Sequence, residues 1–413
     1  MELQERGQFA LWTPQDLGGR LEAESVTFYW GIDATADSLH AGQLVGIMAV
    51  RRLQQAGHRP ILLLGGGTTL IGDPSGKDAE RPLLPEEEIR ANADAIRGQL
   101  ERFLDFGPAG AVMLDNAEWL RPLGLMDFLR EVGKHVTVNV MMGKESVRAR
   151  LEGREQGISY TEFSYMLLQA YDFVHLFREH GCRMQVGGSD QWGNITLGVD
   201  LIRRVAGEEA YGLAWPLLTS ATGAKFSKSN PDNPWLSAAR TSPYRWYQYW
   251  LNVPDADVGD HLLLLTDLPE EEIKGLSSAP PEERAGQREL AWRLTATVHG
   301  EAEAQKARRA SDALFGGDLA TLSEEELLEV FADAPSSERR REDGASLLDL
   351  VVGTLEPTRS AARRTAEQGG LYVNNRQERD VERPVREEDL LAGRYLLLRK
   401  GRRTYHLVRF GDR

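Results

Sequence analysis

Two short stretches carry residue types that could handle a phosphate chain. Lys225-Phe226-Ser227-Lys228-Ser229 puts two lysines within four residues, among glycine and serine neighbours that suit a loop. Two cations so placed could clamp a pyrophosphate. His40-Ala41-Gly42-Gln43 stands where a helical pattern follows a strand-like run. A helix N-terminus offers unpaired N–H groups and a positive dipole end, and Gly42 removes a side chain where a nucleotide could lie against the backbone. Taken alone, the first motif also reads as an exposed polar loop and the second as ordinary capping and packing. Their joint occurrence carries the phosphate reading.

The elements that must position these residues alternate. Residues 26–33, Val-Thr-Phe-Tyr-Trp-Gly-Ile-Asp, read as a strand, and Leu39, Leu44, Val45, Met48 and Leu53 follow with helical spacing that stops near Gly57. Ile61 to Leu64 then runs into Gly65-Gly66-Gly67, which completes a βαβ unit of a parallel sheet. Met184-Gln-Val before Gly187-Gly188 extends the same α/β pattern, expected over residues 1–219. Beyond residue 240 strand signals fade. Leu290, Leu294 and Val298, then Ala304, Ala307, Ala310 and Leu314, predict helices as far as about residue 325. A charge-rich linker is expected over 326–344, and a small final domain of helix and strands over 345–413.

Composition sets the broad class. A chain of 413 residues with 41% hydrophobic and 27% charged residues has the make-up of a multidomain globular protein. No apolar run approaches a membrane span, and the N-terminus lacks the pattern of a signal peptide, so a cytoplasmic location is expected. Cys182 is the only cysteine, which excludes an intrachain disulfide or a cysteine zinc cluster. The net charge of −14 argues against a polyanion partner for the chain as a whole. The last seventy residues reverse that balance with 14 Lys+Arg against 10 Asp+Glu. Arg399, Lys400, Arg402 and Arg403 there are the candidate RNA contacts, or else a solvated strand end.

The His40 and Lys225–Ser229 motifs together resemble the HIGH and KMSKS signatures of class I aminoacyl-tRNA synthetases. The surrounding residues narrow the resemblance to tyrosyl-tRNA synthetases: Tyr29-Trp-Gly-Ile-Asp33, Leu70-Ile-Gly-Asp73-Pro-Ser-Gly-Lys77, Tyr160 to Asp172, and Gly187-Gly-Ser-Asp190-Gln191-Trp-Gly-Asn. The likeness covers essentially everything from about residue 20. It implies a Rossmann-like parallel-sheet catalytic domain in an α/β fold, then an α-helical domain on the anticodon side and a small α+β RNA-binding domain.

The resemblance also implies roles. Tyr29 and Asp172 would hold a tyrosine hydroxyl, and Asp73, Tyr165 and Gln169 its ammonium. Gly31, Asp33, Gly42, Gln43, Gly188, Asp190 and Gln191 would line the ATP site together with Lys225, Phe226, Ser227, Lys228 and Ser229. Lys77, Arg81, Lys225 and Lys228 would supply positive charge, with Thr35 and His40 at the terminal phosphate. ATP with Mg2+, no metal held by the protein, tRNA(Tyr) as partner and a homodimer are further expectations. Two departures stand out: Gln43 replaces the second signature histidine, and Trp30 occupies a place near the ribose where the family often has a small residue. A tryptophan-specific synthetase and a non-enzymatic RNA-binding descendant are the alternatives. The first has no need of the Tyr29 and Asp172 pair, and the second is expected to lose the lysines or His40.

Overall fold

Pro60-Ile-Leu-Leu-Leu64 is apolar without alternation because its strand is covered on both faces. In the computed structural model, residues 2–73, 84–144, 147–148, 158–219, 233–314, 317–332, 334–340, 346–401 and 404–411 are described. They divide into two units: Met1–Thr241 with Asn252–Leu290, and Ser242–Leu251 with Ala291–Arg413.

The first unit is built on six strands: β1 (Leu11–Thr13), β2 (Thr27–Ile32), β3 (Arg59–Leu64), β4 (Val112–Asp115), β5 (Met184–Gly188) and β6 (Tyr211–Trp215). Their order is β1-β6-β5-β2-β3-β4. All neighbours are parallel except β1, which runs antiparallel along β6. Chain order reverses direction between β2 and β5. The C-terminal ends of strands beside such a switch point form the crevice in which open α/β sheets bind ligands. Asp33 follows β2 there, and Asp190 follows β5.

The helix Leu44–Gln55 leads away from that crevice. It packs so closely on the sheet that a Cβ at Gly46 would lie 2.6 Å from Trp215 and 3.2 Å from Trp30. At its far end the buried Arg52 donates to the carbonyls of Leu264 (3.0 Å) and Thr266 (2.5 Å). Arg6 adds bonds to Thr266 (3.0 Å) and Leu268 (3.1 Å). These guanidiniums satisfy carbonyls at the C-terminal end of the helix Asp255–Leu265, which tethers the helix that begins at the site. The long helix Tyr160–His180 starts at the Ser159 cap and ends at Gly181 in the left-handed region, φ 63°.

The second unit carries β7 (Ser336–Arg340), β8 (Leu371–Val373), β9 (Arg376–Gln377), β10 (Tyr395–Lys400) and β11 (Thr404–Gly411) in the order β7-β11-β10-β8-β9. Tyr395-Leu-Leu-Leu398 is apolar throughout because each face of this sheet is covered. Leu396 and Leu398 pack with Leu347, Leu350 and Ala362 of the helices Leu347–Val351 and Arg359–Glu367. Tyr395 and Leu397 pack with Ala310, Leu319, Leu327 and Phe331. Residues expected to close a separate helical domain therefore share a core with the C-terminal sheet.

The linker expected over 326–344 also holds regular structure. Glu324–Val330 is helical, and Ser336–Arg340 is an edge strand parallel to β11. Leu407 N–H donates to Pro335 O (2.9 Å), and the His406 ring meets Ser337 Oγ at 2.9 Å. The strand is Ser-Ser-Glu-Arg-Arg, polar as edge strands commonly are, and so it lacks the apolar alternation that reveals a strand in sequence.

Candidate active site

Tyr165, Gln169 and Asp172 recur at i, i+4 and i+7 on the Tyr160–His180 helix and so share one face. At 1.5 Å per residue the row spans about 10 Å, the scale of an amino acid with a polar group at the far end of its side chain. Tyr29, in the middle of β2, packs its ring 5.3 Å from that of Phe173. Its hydroxyl is fully buried and has no hydrogen-bond partner among the described residues. Gln169 Oε1, in the middle of the helical row, is buried in the same state. Native interiors seldom leave such groups unpaired, so each is a candidate to be satisfied by a ligand.

Asp172 is 2% exposed. Its Oδ1 accepts from Trp119 Nε1 (2.7 Å) and its Oδ2 from Asn116 Nδ2 (2.9 Å). Burial pushes its pKa up to about 7, against the opposing effect of these two donors. Burial, and then the neighbouring Asp172, likewise raise the Tyr29 hydroxyl well above its ordinary value, so it stays protonated and able to donate. Asn116 is itself fixed, its Oδ1 accepting from Gly67 N (2.8 Å) and its Nδ2 donating to Thr68 Oγ1 (2.9 Å). Sequence reasoning missed Asn116 and Trp119. The available signal was their place just after β4, at the same sheet edge as the other site residues.

Asp73 and Gln191 join the two halves of the site. Gln191 Nε2 donates to Asp73 Oδ2 (2.8 Å), and Asn194 Nδ2 donates to Gln191 Oε1 (3.1 Å). Gly188 ends β5 beside them, where a Cβ would stand 2.7 Å from Asp190 Oδ1 and 2.9 Å from Leu217. The backbone is thus left bare towards Asp190. Thr35 follows in a tight turn, its N–H on Asp33 O at 2.9 Å.

His40 caps the 3-10 turn Ala41–Gln43 that leads into the helix Leu44–Gln55. Gly42 N–H donates to its Nδ1 (3.1 Å), while His40 N–H donates to Gln43 Oε1 (3.0 Å), a reciprocal capping box. Because Nδ1 accepts, the ring proton sits on Nε2, where it can serve a phosphate oxygen. Gln43 thus turns its side-chain carbonyl onto the helix start. The other departure, Trp30, is buried edge-on to Trp215, with ring centres 5.6 Å apart.

Residues 234–241 line the same helix start. Ala41 N–H donates to Pro234 O (2.9 Å), Leu236 N–H to Leu39 O (2.8 Å) and Ser237 N–H to Ser38 Oγ (3.0 Å). Arg240 bonds Asp37 and lies 4.6 Å over the Trp235 ring. Lys77, Arg81, Lys225, Phe226, Ser227, Lys228, Ser229, Arg402 and Arg403 lie outside the described residues. In the second unit, Arg399 stacks 3.8 Å over Tyr372, and Lys400 pairs with the buried Glu356 at 2.9 Å.

Residues 21–316 match the family described as tRNA synthetases class I (W and Y), and with this geometry they define a class I aminoacyl-tRNA synthetase. Residues 326–408 match the tyrosine–tRNA ligase SYY-like C-terminal domain. The chain is 53% identical over 399 residues to the tyrosine–tRNA ligase of Roseiflexus castenholzii, covering 94% of each. It is 47% identical over 416 residues to that of Geobacillus stearothermophilus, covering 99% of each. A C-terminally truncated mitochondrial tyrosyl-tRNA synthetase of Aspergillus nidulans superposes with a TM-score of 0.67 at 29% identity, over 76% of this chain and 93% of that one. A tryptophanyl-tRNA synthetase from Encephalitozoon cuniculi, at 13% identity and a TM-score of 0.55, shares the fold over 80% of this chain and 90% of its own. The chain belongs to the tyrosine–tRNA ligases.

Proposed function

We propose that this enzyme joins tyrosine to ATP, forming tyrosyl-adenylate and pyrophosphate, and then moves the tyrosyl group to the terminal ribose of tRNA(Tyr). The observation that carries the choice of amino acid is the buried Tyr29 hydroxyl, without a partner among the described residues and near enough to the buried Asp172 carboxylate to feel its charge. A phenol both donates and accepts, so its O–H can donate a hydrogen bond to Asp172 while its oxygen accepts one from Tyr29. An indole has a donor and no acceptor, and would leave the Tyr29 O–H with nothing to donate to. The test is ATP–pyrophosphate exchange with each of the twenty amino acids. Exchange that depends on tyrosine is expected; exchange only with tryptophan, or with none, would overturn the reading.

In the first step the tyrosine carboxylate attacks the α-phosphorus, and the bond to the departing pyrophosphate breaks. The enzyme's task is to position the reactants and stabilise the developing charge, so no protein nucleophile is required. Asp73, Tyr165 and Gln169 hold the ammonium. Asp190, Gln191, Gly188, Gly31 and Asp33 flank the nucleotide, while Thr35 and the Nε2 proton of His40 meet its terminal phosphates. Lys77, Arg81, Lys225 and Lys228 are assigned to the negative charge. Mg2+ is assigned to the nucleotide's own oxygens. When bound there it neutralises phosphate charge.

The basic final module is assigned to tRNA through Arg399, Lys400, Arg402 and Arg403. tRNA charging fits a cytoplasmic location. No helix of the described residues is long and apolar enough to cross a membrane.

A homodimer is proposed on a patch in the first unit. Seven of the nine exposed large hydrophobics among the described residues lie between 125 and 160, with Leu125 71%, Met126 76% and Tyr160 74% exposed. Exposed apolar residues so concentrated along one segment suit an interaction surface, and a second copy of this segment is the assigned occupant. The double variant Leu125→Glu, Met126→Glu is expected to sediment as a monomer at micromolar concentration where the parent chain is a dimer. An unchanged dimer would move the interface elsewhere.

A further inference from the structure

We propose that His175 is a positioning residue for recognition of the substrate's phenol, acting through Trp119; the inference rests on the tyrosine reading above. His175 lies one turn beyond Asp172 on the Tyr160–His180 helix and faces the same indole. Its imidazole stacks on Trp119 with ring centres 4.2 Å apart and planes 18° apart. The Nε1–H of that indole donates to Asp172 Oδ1 at 2.7 Å. One helix therefore grips Trp119 twice, at its nitrogen and across its face.

The consequence follows from what an indole without its stack can do. Trp119 belongs to the short helix Ala117–Leu120 and is buried in the core of the first unit, where the His175 imidazole covers one face of its indole. A hydrogen bond fixes one atom, while a face-to-face stack fixes the plane and with it the direction of N–H. Removing the imidazole lets the plane tilt and weakens the bond that holds Asp172 Oδ1. The carboxylate then loses both its orientation towards a phenol and a donor that offsets its burial. Burial keeps the His175 imidazole below its ordinary pKa, so the stack is formed by a neutral ring at neutral pH.

The acceptor side is selective in what it affects. Phenylalanine has no hydroxyl to present, so a poorly aimed Asp172 should be felt with tyrosine and scarcely with phenylalanine. The ATP half of the site makes no use of His175.

The experiment measures pyrophosphate exchange of the full chain, with tyrosine and with phenylalanine, for the parent, His175→Ala and His175→Phe. Parent exchange that fails to respond to tyrosine would refute the functional reading itself, before any variant is considered. With that response established, His175→Ala should raise the tyrosine KM by roughly fivefold to tenfold, the loss of about one neutral hydrogen bond. Its kcat, its ATP KM and its kcat/KM for phenylalanine should stay within about twofold. His175→Phe restores a flat ring and should recover the tyrosine KM to within about twofold. An unchanged tyrosine KM in His175→Ala overturns the proposal. Equal losses for both amino acids, or no recovery in His175→Phe, also overturn it, since either would mark a general packing role. Should His175→Ala fail to give the parent's circular dichroism spectrum, His175→Leu keeps the bulk without the ring and carries the same test.

Discussion

Lys228→Ala slows formation of tyrosyl-adenylate by about 10²- to 10³-fold while tyrosine affinity stays within about twofold. The expectation follows from where charge develops. As the bond to the α-phosphorus breaks, negative charge accumulates on the departing pyrophosphate, and a cation placed there acts chiefly in the transition state. Such a group contributes to rate far more than to ground-state binding. Pre-steady-state adenylate formation, followed beside tyrosine affinity by equilibrium titration, separates the two. Lost affinity at an unchanged rate would reassign Lys228 to substrate binding.

The second large effect is on selectivity between tyrosine and phenylalanine. Asp172→Asn is expected to lower kcat/KM for tyrosine by about 30- to 100-fold, or about 2–3 kcal/mol. The carboxylate accepts from Trp119 on one oxygen and from Asn116 on the other. An asparagine offers one oxygen and one NH2, so one of those donors must face another donor. Tyr29→Phe should cost roughly tenfold with tyrosine and scarcely alter phenylalanine, the loss of one neutral hydrogen bond. The two variants should differ in stability. The Tyr29 hydroxyl is buried without a partner among the described residues, so its removal should stabilise the free protein, by about 1 kcal/mol. Loss of function with a gain in stability marks a group kept for its ligand. kcat/KM by pyrophosphate exchange and thermal unfolding of each variant decide the matter. Unchanged selectivity in both would place recognition of the hydroxyl elsewhere.

Asp172 also ties stability to pH. Its pKa is raised on folding from 3.8 to about 7, so the folded chain holds a proton that the unfolded chain has released. The resulting stability is fully present below the unfolded value and is lost as pH rises through about 7. Between pH 8 and pH 5 the parent should therefore gain on Asp172→Asn as the pH falls. A constant difference in unfolding temperature over that range would mean that Asp172 is not held near neutrality by burial.

Several features were written in the sequence by itself. Unbroken apolar runs such as Ile61 to Leu64 required strands covered on both faces, and glycines at the ends of β3 and β5 marked where backbone must be bare. The spacing of Tyr165, Gln169 and Asp172 put them on one helical face. Tertiary structure alone decided how these groups are held. Asn116 and Trp119 reach Asp172 from 56 and 53 residues away, a separation that leaves no local period to read. The role of Gln43 as half of a capping box depended on how the helix start turns, and the burial of Trp30 on Gly46 and Trp215, which a strand and a helix bring together. Where the sequence suggested a linker, Ser336–Arg340 joined the sheet as an edge, since pairing to β11 needs only backbone groups and leaves polar side chains outside. Local pattern fixes which face of an element is apolar, and only the packed fold determines which polar groups meet there.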